Sequence, residues 1–172
     1  QHFLCGCLAS LARNLETLGG RLIIRSGDPV KGLWELIRET GAVALHFNAD
    51  PDPFGKAVET AVHQLCQELG VECHSHADVS LHTPGEVLNL SGLPYRVFTP
   101  YSKNWLQLPK PPPVPKPELL RTPRDLESLP LPSVESWDMQ APAAGIVEAG
   151  ERAARERLKR AVAGKIQHYA GR

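Results

Sequence analysis

Apolar residues recur along the first 75 residues with two different periods. Spacings of three and four predict amphipathic helices, and short continuous apolar runs predict strands. Helices are predicted over 3–18, about 30–40 and about 56–69, and strands over 22–24, 42–47 and 71–74. Glycines follow each predicted helix, at 19–20, 41 and 70, as C-terminal caps require. The predicted order is therefore helix, strand, helix, strand, helix, strand.

Strands that are separated by helices of this length cannot pair as hairpins, so the crossovers predict a parallel sheet. The fold class is α/β, a Rossmann-like doubly wound sheet. The run 42–47 is apolar enough to predict burial on both of its faces. Because such a sheet ordinarily begins with a strand, the leading helix predicts that a first strand is missing upstream. Ligands of these sheets bind at the carboxyl ends of strands, here the loops 26–28, 48–54 and 74–78.

Prolines set the second part of the chain apart from the first. The run PKPPPVPKP at 109–117 predicts a semi-rigid spacer, because proline can neither continue a helix nor complete a strand ladder. Its Pro-x-x-Pro repeats also leave an SH3-type ligand open as an alternative. A last helix is predicted from Glu148 to Tyr169, with an apolar face and acidic residues at its start. The predicted divisions are a domain over 1–108, a linker over 109–147 and a helix over 148–172.

Composition narrows the possible partners. Of 172 residues, 42% are hydrophobic, which suffices for one domain with a core. Lys and Arg number 19 and so do Asp and Glu, so no net charge draws the chain toward nucleic acid or an anionic membrane. No apolar run approaches the roughly 20 residues of a membrane span. We expect a cytoplasmic protein with no membrane partner.

Four cysteines are too few and too unevenly spaced for a disulfide framework, which favours a reducing compartment. The sequence CHSH at 73–76, together with Cys66, raises the possibility of a zinc site. However, Cys66 continues the apolar face of its predicted helix, and the spacing matches no zinc template. We therefore predict no metal ligand and no catalytic residue.

Three sequence motifs resemble those of a known protein family. The sequences GDP at 27–29, FNADPDPFG at 47–55 and GLPYRVFTPYSKNW at 92–105 resemble, in this order, the N-terminal α/β domain of DNA photolyases and cryptochromes. The resemblance is closest to class I deoxyribodipyrimidine photo-lyases and extends from about Phe3 to the last helix. The third motif is long and unusual, and it carries most of the identification.

The resemblance implies an antenna domain that binds a light-harvesting pigment, which is a folate, a deazaflavin or FMN. In the family, a helical domain further along the chain holds FAD and splits pyrimidine dimers in damaged DNA. The FAD site would then be absent from these 172 residues, damaged DNA would be reached through the missing domain alone, and this chain would dock onto that domain without being catalytic itself. Two alternatives remain open: a cryptochrome-like blue-light photoreceptor domain and a free-standing α/β ligand-binding module.

The resemblance also implies which residues edge the antenna pocket, namely Asp50, Asp52 and Phe54. A carboxylate suits this position because it accepts hydrogen bonds from the ring N–H and amino groups of a pterin or deazaflavin. Alternatively, the turn-forming sequence Asp-Pro-Asp-Pro leaves both acids facing water. The family's usual Arg-Asp pair after this loop is replaced here by Val58 and Glu59, with Lys56 just ahead.

The block FTPYSKNW at 98–105 predicts a short helix, with Thr99 as its N-cap and Pro100 in its first turn. Spacings of three and four place Phe98, Tyr101 and Trp105 on one face, which predicts packing. Direct contact with DNA is not expected, because phosphate binding requires several clustered cations and the block supplies one.

Overall fold

A computed structural model of the chain describes residues 1–78, 80–110, 112–140 and 147–166. Its regular elements are α1 (His2–Glu16), α2 (Pro29–Thr40), β1 (Ala44–Asn48), α3 (Pro53–Leu69), β2 (Glu72–His76), α4 (Phe98–Gln107) and α5 (Glu151–Arg160). A 3-10 turn covers Val134–Trp137, and α5 continues into a π turn at Ala161–Lys165. The chain divides into two compact units, one of residues 26–115 and the other of residues 1–25 with 116–172.

The sheet of the first unit confirms the parallel arrangement. Strands β1 and β2 pair in parallel over five positions, from Ala44 opposite Glu72 to Asn48 opposite His76. Helix α3 makes the crossover between them. The predicted α/β class is therefore confirmed, with two strands in the sheet of the described residues.

Helices α2 and α3 begin and end where the sequence supplies caps. At the start of α2, Asp28 Oδ1 accepts a hydrogen bond from the amide of Lys31 at 2.8 Å. Helix α3 begins three residues before its predicted start, because Asp52 caps it and Pro53 occupies its first position. Gly41 ends α2 in the left-handed conformation, with φ of 64°, which glycine adopts without strain.

The core of the unit lies where α3 covers the sheet. Val62 and Cys66 of α3 are 3% and 1% exposed. Phe47 of β1 meets His63 of α3 edge to face, with the ring centroids 5.8 Å apart. On the same side of the sheet, the hydroxyl of Ser75 donates to Glu59 of α3 at 2.7 Å. One face of the sheet is thus packed against α3.

The prediction that 42–47 is buried on both faces is wrong. Leu45 and Phe47 are half-buried, whereas His46 and Asn48, which point to the other side of the strand, are exposed. Apolar composition indicated burial, but burial depends on what covers each face, and α3 lies on one face.

The predicted strand at 22–24 is also wrong for the described residues. The amide of Ile24 donates to the hydroxyl of Ser128 at 2.9 Å, and the carbonyl of Ile24 accepts from the amide of Leu129 at 3.0 Å. The amide of Arg21 likewise donates to the hydroxyl of Thr122 at 2.9 Å. Residues 122–129 thus satisfy the polar backbone groups that a strand ladder would have satisfied.

Helix α4 differs in two details from the predicted one. Its N-cap is Val97, so Thr99 lies within the first turn. Tyr101 packs edge-on against Tyr95 at 6.2 Å and Trp105 against His82 at 5.5 Å, as predicted for packing residues. Phe98, however, is 76% exposed, because no other described residue of the unit 26–115 covers the start of the helix.

The last helix begins at Glu151 rather than Glu148. The part of its predicted course that includes Tyr169, from 167 to 172, lies outside the described residues. All four cysteines are free thiols. In the described parts of the chain, every helix is too short or too polar to cross a bilayer.

Candidate functional site

A cleft of about 160 Å³ opens where the carboxyl ends of β1 and β2 lie side by side. Its walls come from the two loops that follow these strands and from the first two turns of α3. The lining residues are Ala49, Asp50, Pro51, Lys56, Glu59, Ala77, Asp78, Ser80, Thr83 and Pro84. This is the edge at which parallel sheets bind ligands, because the strands end there and their loops diverge.

The two aspartates of the first loop have different tasks. Asp52 Oδ1 accepts from the amide of Gly55 at 2.7 Å and so caps α3. Asp50 lines the cleft, and its Oδ1 accepts from the amide of Asp52 at 3.1 Å. The loop packs tightly here, since a Cβ added to Gly55 would come within 2.5 Å of the Cβ of Asp50.

Phe54 is neither a cleft residue nor a helix cap. Its side chain is 74% exposed and does not line the cleft. Of the three residues that the family resemblance placed at the pocket, the structure therefore puts Asp50 on the cleft wall, Asp52 at the helix start and Phe54 in solvent. Whether any of them binds a ligand stays a prediction.

The second wall is tied to the first by side-chain hydrogen bonds. Asn48, the last residue of β1, donates from Nδ2 to Asp78 Oδ2 at 2.8 Å, which links the loops after the two strands. Three carboxylates, Asp50, Glu59 and Asp78, line the cleft with one ammonium group, that of Lys56. This set carries a formal charge of −2, so the cleft favours ligand groups that donate hydrogen bonds over anionic groups such as phosphate.

A buried histidine supports the far wall. His82, whose side chain is 2% exposed, meets Glu86 with Nδ1 and Oε1 3.0 Å apart. The other oxygen of Glu86 accepts from the amide of Thr83, a lining residue, at 2.8 Å. The hydrogen bond from His82, followed by that from Thr83, lowers the pKa of Glu86 below its ordinary value.

Two of the three loops that the sequence predicted as ligand-binding lie at the cleft. The loops 48–54 and 74–78 both reach the cleft, whereas in loop 26–28 Asp28 serves as the cap of α2. Ser80, Thr83 and Pro84 were missed. The spacing Thr83-x-x-Glu86, which is typical of a helix start, was the one signal that indicated an ordered turn here.

Comparison with known proteins agrees with the motifs. The family model for DNA photolyase matches residues 1–118. A deoxyribodipyrimidine photo-lyase of Synechococcus is 33% identical over 169 residues, which cover 91% of this chain and 34% of that protein.

Solved structures give the same result. A bacterial class III photolyase from Agrobacterium tumefaciens superposes with a TM-score of 0.86 and 29% identity over 99% of this chain and 36% of that one. An archaeal photolyase from Sulfolobus tokodaii, described as holding two FAD molecules with the implication of a novel light-harvesting cofactor, superposes with a TM-score of 0.63 and 21% identity, covering 92% of this chain and 33% of that one. At that identity the second likeness supports the fold alone.

The chain is an α/β domain of the type found in DNA photolyases. It belongs to the DNA photolyase family, which confirms the resemblance drawn from its motifs. It spans about a third of the length of the photolyases compared above.

Proposed function

We propose that this chain is the antenna-pigment-binding portion of a deoxyribodipyrimidine photo-lyase, the class of enzyme that uses light to repair pyrimidine dimers in DNA. The observation that carries the proposal is the cleft at the carboxyl ends of β1 and β2, with Asp50 on its wall. Membership of the family supplies the context. Which class of photolyase the chain comes from stays a prediction.

The chemistry of the cleft suits the polar edge of a fused-ring pigment. Folates, deazaflavins and flavins carry ring N–H or amino groups, and carboxylates such as Asp50 and Asp78 accept hydrogen bonds from them. The cleft, at about 160 Å³, is smaller than the roughly 300–1,000 Å³ of sites that enclose a whole ligand. It therefore accommodates the edge of a ring system, and the rest of the pigment, including any phosphate, extends beyond the acidic walls.

The repair chemistry itself belongs, in this proposal, to a part of the enzyme outside these 172 residues. The relatives are about three times as long, and the family resemblance implies a helical domain that holds FAD and receives damaged DNA. The unit 26–115 exposes large apolar side chains that such a domain would cover on docking. They include Leu90, Leu93, Val97, Phe98 and Leu106.

Pigment binding tests the proposal directly. The purified chain is mixed in turn with a folate, a deazaflavin and FMN, and the absorption spectrum of the protein peak is recorded after gel filtration. We expect one pigment to elute with the protein. Asp50→Asn keeps the oxygen that accepts from the amide of Asp52 but removes the charge, so it should weaken binding about tenfold, as expected for loss of a charge-assisted hydrogen bond of ~1.4 kcal/mol.

Glu68→Gln is the matched control, since Glu68 lies at the far end of α3 and outside the cleft. A chain with a folded far-ultraviolet circular dichroism spectrum and no pigment in any mixture would remove the antenna role. Two alternative hypotheses, a cryptochrome-like photoreceptor domain and a free-standing ligand-binding module, are tested by other experiments. Blue-light repair of dimers by the full-length parent protein distinguishes a photolyase from a cryptochrome-like photoreceptor. Coding sequence for an FAD domain next to these residues argues against a free-standing ligand-binding module.

A further inference from the structure

Three histidines lie on the face of the sheet that α3 leaves uncovered. His46 of β1 is directly opposite His74 of β2, and His76 follows two residues later on the same face. The covered face carries Phe47 and Ser75 instead. Parallel register thus gathers three imidazoles from two strands in one place.

The three rings are in contact with one another. His46 stacks on His74 with centroids 4.5 Å apart and planes within 14°. The centroids of His46 and His76 are 5.2 Å apart and their planes are within 11°. His46 Nδ1 and His76 Nε2 are separated by 2.9 Å, so one imidazole N–H donates to the other ring.

This hydrogen bond holds two metal-ligating nitrogens at a suitable separation. Imidazole nitrogens bind zinc at about 2.0–2.1 Å. Two such nitrogens are therefore ~2.9 Å apart when the nitrogen–zinc–nitrogen angle is a right angle, and ~3.4 Å apart when it is tetrahedral. The two nitrogens of His46 and His76, 2.9 Å apart, are therefore already close to the separation that a shared metal ion needs. Only the orientation of the rings has to change, so that both lone pairs point at the ion. Exposed side chains on a sheet face turn readily, and the side chain of His74 is 44% exposed.

A carboxylate already orients the third imidazole. Glu72 lies two residues before His74 on the same face, with Oε2 3.2 Å from His74 Nε2. When a histidine binds a metal through one ring nitrogen, its other nitrogen commonly donates to a carboxylate, which fixes the tautomer. With Nε2 engaged by Glu72, Nδ1 of His74 is the nitrogen left for a metal.

We propose that His46, His74 and His76 form a binding site for a divalent first-row transition ion of the kind that imidazole prefers, namely Zn²⁺, Ni²⁺ or Cu²⁺. In the described residues, no three ligand-type side chains converge on one point as the side chains stand. The rings therefore close around the ion when it binds. The imidazole that carries the shared proton releases it to water and takes up a proton at its other ring nitrogen, so that both facing nitrogens offer lone pairs and both rings stay neutral. The site shares His74 and His76 with the zinc site considered from the sequence, but not its cysteines. Cys73 alternates to the covered face of the sheet, where it meets the buried Cys66.

Isothermal titration tests the site with the metal ions alone. The 172-residue chain, stripped with a chelator, is titrated at neutral pH with NiCl₂ and separately with ZnCl₂. We expect one ion per chain, and at least tenfold weaker binding in each of His46→Gln, His74→Gln and His76→Gln. His63→Gln is the matched control, since His63 is a half-exposed histidine on α3 at the other face of the sheet, and it should bind as the unaltered chain does.

A second readout serves if a variant fails to fold. Ni²⁺ is paramagnetic, so in the unaltered chain it should broaden the ring signals of His46, His74 and His76 in NMR spectra before those of His63. Absence of binding, equal weakening by His63→Gln, or uniform broadening of all histidine signals would each overturn the proposal. None of these outcomes bears on pigment binding, because the cleft residues are unchanged in every variant.

Discussion

Removal of the Asp52 carboxylate should destabilise the chain by a predictable amount. Asp52 Oδ1 accepts from the amide of Gly55 at 2.7 Å and satisfies a donor that has no partner within α3. Replacement of an N-cap residue by alanine costs about 0.5–2 kcal/mol. For an aspartate this total includes the interaction of the carboxylate with the positive end of the helix dipole, about 0.3–1 kcal/mol, which places Asp52 in the upper part of the range. Asp52→Ala should therefore lower the free energy of unfolding by about 1.5 kcal/mol.

Urea unfolding followed by far-ultraviolet circular dichroism measures this difference at neutral pH. Asp52→Asn separates the two contributions, because asparagine keeps an oxygen that accepts the hydrogen bond and loses the charge. It should lose about 0.5 kcal/mol, which is the dipole contribution alone. Asp125→Ala, an exposed aspartate outside any helix, is the control and should change little. If Asp52→Ala unfolds at the same urea concentration as the unaltered chain, the side chain does not cap α3 in solution and the account of the loop is wrong.

Three further predictions concern single residues. Gly55→Ala should weaken both pigment binding and stability, because the Cβ of the new alanine would displace Asp50 from the cleft wall. Gly32→Ala is the control in the same absorption assay, because a Cβ added at Gly32 in α2 meets open space. Glu86→Gln should destabilise the chain at neutral pH. The difference in stability between variant and unaltered chain should vanish as the pH falls through the lowered pKa of Glu86, because the carboxylate is the stabilising form. Urea midpoints measured across acidic pH test this, and a difference that stays constant with pH would contradict it. Cys66 should be the last of the four thiols to react with iodoacetamide in mass-spectrometric peptide mapping, because it is 1% exposed and its pKa is about 11; early labelling of Cys66 would show that the core opens.

The parallel α/β arrangement could be predicted because its signals are local. Hydrophobic period separates helix from strand, and Gly41 and Gly70 mark where α2 and α3 end. A helix between two strands then leaves parallel pairing as the simple outcome. The start of α3 was also present in the sequence, because an aspartate followed by a proline is typical of an N-cap and the first residue of a helix. Apolar periodicity instead placed that start at Lys56.

The errors arose where structure depends on distant partners. Residues 22–24 have the composition of a strand. However, the amides of Arg21 and Ile24 donate to hydroxyls about a hundred residues away, and no local sequence pattern predicts such bonds. The exposure of His46 follows from α3 covering one face of β1. The stacking of three histidines depends on the register that puts His46 opposite His74, and it could not be read from the spacing CHSH alone.

Hydrogen–deuterium exchange with and without pigment tests the central claim most directly. We expect the pigment that elutes with the protein to slow exchange in peptides of the two loops that follow β1 and β2, and to leave exchange in α1 and α5 unchanged. Protection confined to other segments, or none in the presence of bound pigment, would show that the cleft lined by Asp50 and Asp78 is not where the pigment lies.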